Sequence, residues 1–232
     1  MSLLAGIIGQ TKETPNLNTS ITSYTERINS TSAMTLTGAN SGQLYIICHN
    51  AYNSSGISTA PATPSGFTSL SSYAESGSKF SFRLSYKILT SNDATYTLPT
   101  VSGAIGQVAT GLVISTLSGS FTGLSIENSA GYLYTSSSSA SGNLVTDINN
   151  ILIGVGLLYP GTGGGSGSNL PSPAIGAAQT GISSGGPTQG DYYSVVHAKN
   201  YTDFGNDTWF ASLTDATEAF SNTFNLKPTF SV

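Results

Sequence analysis

Residues 80–88, FSFRLSYKI, place Phe80, Phe82, Leu84, Tyr86 and Ile88 at every second position, with Ser81, Arg83, Ser85 and Lys87 between them. A period of two sends alternate side chains to opposite faces of an extended chain, so the run forms a strand and not the stripe of a helix. One face is then expected to be buried and the other wet. Helical periods are almost absent elsewhere, whereas β-branched and aromatic residues alternate often, which makes the chain all-β. QLYIICHNAY (43–52) reads as a strand inside a sandwich, NDATYTLP (92–99) as a turn and short strand, and IGQVATGLVISTL (105–117) as a long strand.

A second set of segments answers the first. NNILIGVGLLYPG (149–161) matches GQLYIICHNAY (42–52) in character, and DYYSVVHAK, TWFASLT and EAFSNTFNLKP supply further strands. Two similar halves, 33–133 and 144–232, predict a single jelly-roll-like antiparallel β-sandwich over 33–232. Residues 1–32, rich in Thr, Asn and Ser, are expected to form an extended N-terminal arm. YTSSSSASGN (134–143) and the Gly-rich PGTGGGSGSNLPSPAIG (160–176) read as exposed connections.

Charge narrows the function classes. Only 8% of the 232 residues are charged, and seven Lys and Arg stand singly in a chain of net charge −4. Nothing here makes the basic stripe that a phosphate backbone needs, so nucleic acid is not an expected partner. The longest apolar run, ILIGVGLLY (151–159), is too short to cross a bilayer as a helix, so no membrane partner is expected. MSLLAGIIGQTKE lacks the basic start and cleavage site of a secretory leader, and the chain is expected to be soluble and made in the cytoplasm. Cys48, the single cysteine, has no internal disulfide partner.

Chemistry-bearing constellations are few. His49 and His197 lie inside apparent strands, and Cys48 and His49, being adjacent, face opposite ways and cannot form a nucleophile–base pair. No GxSxG elbow accompanies them, and no metal or cofactor is expected. Asp203, Asn206 and Asp207 could offer oxygens to Ca²⁺, but they lack the spacing of a calcium loop and suit a turn better. Pro171 and Pro173 forbid the helix that would let GTGGGSG hold a phosphate. Among twelve Tyr, nine Phe and one Trp, the residues Trp209, Tyr192 and Tyr201 are candidate faces for stacking on a glycan.

One stretch carries a resemblance. Pro64, Ser65, Gly66, Phe67, Thr68 and Leu70, followed by Tyr86 and Lys87 and then by Asp93, Tyr96 and Thr97, resemble the PSG-aromatic-T-x-L turn, aromatic YYK strand and acid-x-x-YT strand of phage-encoded virion proteins. Phe67 stands where those proteins usually have Trp, and FNLKP (224–228) is similar to the end of such domains. The resemblance implies a jelly-roll protein that decorates a capsid or builds a tail or fibre, without enzymatic activity. Its implied partners are other virion proteins and further copies of itself, a trimer being favoured, and its implied location is the virion. The alternative is a carbohydrate-binding module of the same fold that recognises a host surface glycan.

Overall fold

The computed structural model describes residues 17–28, 33–92, 95–117, 119–131, 133–135, 139–146, 150–159, 178–181, 193–200, 205–212 and 218–231, and all the regular structure among them is β. The first seven strands are β1 (Leu17–Ile28), β2 (Met34–Thr37), β3 (Leu44–Tyr52), β4 (Thr68–Ala74), β5 (Phe80–Ile88), β6 (Thr95–Leu98) and β7 (Gly106–Thr116). They make an antiparallel sheet in the order β1-β7-β3-β5-β4, with β2 and β6 paired as a separate ribbon.

The remaining strands are β8 (Ser120–Ser129), β9 (Leu133–Thr135), β10 (Ser139–Thr146), β11 (Ile151–Tyr159), β12 (Ala178–Gly181), β13 (Tyr193–Asn200), β14 (Gly205–Ser212) and β15 (Glu218–Ser231). β8 and β9 follow one another along β15, and the second sheet runs β8-β15-β11-β13-β12, with β10 and β14 paired as a second ribbon. The second set of pairings therefore repeats the first. β9, β15, β11, β13 and β12 stand to each other as β1, β7, β3, β5 and β4 do, and β10–β14 answers β2–β6.

The two sheets face each other across one core. Ile46, Phe82, Leu84 and Leu112 of the first sheet meet Ile153, Val155, Phe220 and Phe224 of the second. Phe82 lies 5.5 Å from Phe220 and 5.9 Å from Phe224, and Tyr73 lies 4.7 Å from Phe220, ring centre to ring centre. Burying each such side chain contributes about 1.5–3 kcal/mol, enough for the interlayer contact to dominate the fold. Lys79, just before β5, pairs with Glu218 at the start of β15 and ties the two sheets at the ends of these strands.

Two expectations change here. The antiparallel sandwich is present, and in each half an early strand pairs with the last one, β1 with β7 and β9 with β15. Here each sheet comes from one contiguous part of the chain. The segment expected to be an arm contains β1, paired with β7 from Leu17↔Thr116 to Ile28↔Gly106. Its sparse apolar residues hid a strand whose stability comes from backbone pairing. Residues 1–16 and 29–32 lie outside the described residues. For the same reason the polar 134–143 stretch falls largely in β9 and β10 and not in a connection.

Candidate functional site: the covered outer face of the first sheet

The face of the first sheet turned away from the core is also covered. Register places Tyr45, Ile47, His49 and Ala51 of β3 opposite Lys87, Ser85, Arg83 and Ser81 of β5. On the other side the same residues face Val113, Gly111, Ala109 and Gln107 of β7. Ser81 and Ser85 are buried, and Arg83 and Lys87 are half-buried. The wet face expected of residues 80–88 is thus corrected. Because β4 pairs with β5 and not with β3, the connection from β3 to β4, residues 53–67, has to cross over, and it closes this face.

At one end the cover is aromatic. The turn of Pro64 to Phe67, closed by Phe67 N–H donating to Pro64 O at 3.1 Å, has Gly66 at φ 78°, a conformation that favours glycine. It delivers Phe67 onto Tyr96 of β6, edge to face at 4.9 Å, and onto Tyr45 at 6.0 Å. Tyr45 and Tyr96 are 5.3 Å apart, and the Lys87 ammonium lies 5.3 Å from the Tyr96 ring centre, within cation–π range. Tyr45 Oη donates to Thr37 O at 2.6 Å, fixing β2 on the sheet. Met34, Leu36 and Leu98 complete this second core.

Side chains from three segments between residues 64 and 97 therefore meet in space. Phe67, Lys87 and Tyr96 join the ribbon, the crossover and the sheet, while Leu70 and Tyr86 pack against the central core. Thr97 pairs with Thr35, and Phe224 and Leu226 of FNLKP lie in the central core. Asp93 lies outside the described residues. Every placed side chain of the motif that packs is used in holding layers together.

At the other end the cover is polar. His49 Nε2 lies 3.0 Å from Gln107 Oε1, which sets the ring proton on Nε2. Arg83 donates through Nε to Pro61 O, in the crossover, and through Nη1 to Ser69 Oγ at 2.7 Å. His49 Nδ1, Gln107 Nε2, Ser81 Oγ and Ser85 Oγ are buried and have no protein partner. Ala51, Ile57, Val101 and Ala104 form a small apolar cluster beside them.

Burial lowers His49 to about 4, with Arg83 pushing the same way, so the ring is neutral at pH 7. Burial pushes the Cys48 thiol up to about 12, and its side chain lies in the central core, on the other side of the sheet from His49. Neither supplies an ionised nucleophile at neutral pH.

The residues singled out for ligands are scattered differently. Asn206 and Asp207 belong to β14, opposite Val145 and Leu144, so they begin a strand and do not sit in a turn. Trp209 lies in the same strand opposite Gly142, and His197 in β13 opposite Gly154. Asp203, Tyr192 and Tyr201 lie outside the described residues. Among the described residues no three His, Cys, Asp or Glu side chains gather into a metal site. A cluster that spacing could not reveal lies on the second sheet. Glu127 of β8 accepts from Asn150 Nδ2, from Asn225 Nδ2 at 3.3 Å and from Lys227 Nζ at 2.8 Å. Lys227 and Asn150 hold its carboxyl below the usual range. These four come from three strand regions, so only register brings them together. No protein-family model matches the chain, and no curated protein is significantly similar to it.

Proposed function

We propose that this chain is a non-enzymatic bacteriophage virion structural protein, a capsid-decorating subunit or a component of the tail or fibre. The observation that carries the reading is the use made of the virion-like motif: Phe67, Lys87 and Tyr96 are spent on joining layers. A chain whose motif residues serve packing, and whose surface is short of charge, suits a rigid building element that assembles by protein–protein contacts. It acts in the virion after synthesis in the host cytoplasm, as a homo-oligomer, a trimer being favoured.

Light scattering behind size-exclusion chromatography, combined with sedimentation of tagged protein with particles, tests this. An oligomer that sediments with particles supports the reading. A strict monomer that no particle retains would overturn it. Binding to a glycan array by such a monomer would favour the carbohydrate-binding alternative.

A further inference from the structure

The hydrogen bond from Arg83 to Pro61 O has a titratable neighbour. Residues 53–57 are well anchored. Asn53 N–H donates to Lys79 O at 3.0 Å, Ile57 N–H to Ser78 O at 2.7 Å, and Asn53 Nδ2 to Gly103 O. The turn at Pro64 anchors the other end. Between them, residues 58–63 are held by the hydrogen bond from Arg83 to Pro61 O, with Pro61 buried beneath it. His49 lies directly across the strand pair from that arginine, on the same face.

We propose that His49 and Arg83 form an acid-sensitive latch, in which protonation of His49 releases the crossover 58–63 from the outer face of the first sheet. Three features of the site carry this. The ring's one partner, Gln107 Oε1, already accepts its proton, so a second proton on Nδ1 would be a buried donor without an acceptor. The added charge would face the fixed cation of Arg83 across adjacent strands. Among the described residues packed against this face, no carboxylate stands ready to neutralise it. β5 presents Arg83 and Lys87 on this face, β7 presents uncharged Gln107, and residues 53–67, residues 99–105, β2 and β6 contain no Asp, Glu, Lys, Arg or His. His49 itself is fully buried and held well below the ordinary imidazole range. Moving the crossover aside lets water reach the ring and lets the two cations separate.

Hydroxyl-radical footprinting read by mass spectrometry at pH 6.5 and pH 3.8 tests the latch on the whole chain. In the native protein, the buried Pro61 should become labelled at least tenfold faster at the lower pH, while the buried side chains of β3 and β7 stay protected. His49→Gln should keep the crossover protected at both values. The carboxylates titrate alike in both proteins, so an equal loss of protection in the two would overturn the proposal, as would full protection of the native crossover at pH 3.8. Arg83→Gln provides an independent arm. It should leave Pro61 unprotected already at pH 6.5, and a crossover as protected as in the native protein would refute the latch.

Discussion

Gly111 and Tyr45 depend on each other. A Cβ at Gly111 would stand 2.2 Å from Tyr45 Oη and 2.8 Å from Cζ, so the ring needs the missing side chain in order to reach Thr37 O. Gly111→Ala should therefore cost about 1–3 kcal/mol by overpacking. Tyr45→Phe should cost about 0.5–1.5 kcal/mol by losing one hydrogen bond. Because the ring of Phe still meets the new methyl, the double variant should not recover the overpacking cost; urea unfolding of all three checks this. Glu127→Ala should cost about 1–3 kcal/mol, since it removes the acceptor of buried Asn150, and Glu127→Gln, which keeps an acceptor, should cost less. At this scale the sequence was partly legible. The inward set Phe80, Phe82 and Leu84 follows from period two alone. The burial of Ser81 and Ser85 does not, because it depends on a crossover contributed by residues far along the chain.

Among the elements, β3, β5, β7 and β11 could be read directly, since long apolar or alternating runs have few other solutions. β1, β9 and β10 could not, because Ser/Thr-rich strands at the margins are held by ladder hydrogen bonds and neighbours, and these leave no hydrophobic period. β1 gives the clearest consequence. It covers the whole hydrogen-bonding edge of β7, whose residues from Gly106 to Ile114 are all buried. Deleting residues 1–28 should expose that edge as a pairing template and produce aggregation, whereas deleting 1–16 should leave the thermal midpoint within a few degrees. Scattering and calorimetry of the two truncations distinguish them. A soluble, equally stable 29–232 fragment would show that β1 contributes little to the sheet.

For the molecule as a whole, two sheets, each accompanied by its own ribbon and repeating one pairing order, leave the central core between two similar units. The sequence hinted at the repetition through the likeness of residues 42–52 and 149–161, yet it could not reveal that each unit keeps its own sheet, because hydrophobic patterns do not encode strand order. Global stability should depend on pH through His49. Its folded value lies below its unfolded value, so the unfolded chain binds the proton more readily. The contribution is complete above about pH 6.5 and is lost as pH falls to about 4. At 1.36 kcal/mol per unit that loss amounts to roughly 3 kcal/mol, and His49→Gln should flatten this part of a urea-midpoint profile. Assembly belongs to the same scale. The most direct measurement is imaging of purified virions that carry a labelled copy of this protein. Label is expected at regularly repeated positions on the head or the tail, and virions free of the label would contradict a structural role in the particle.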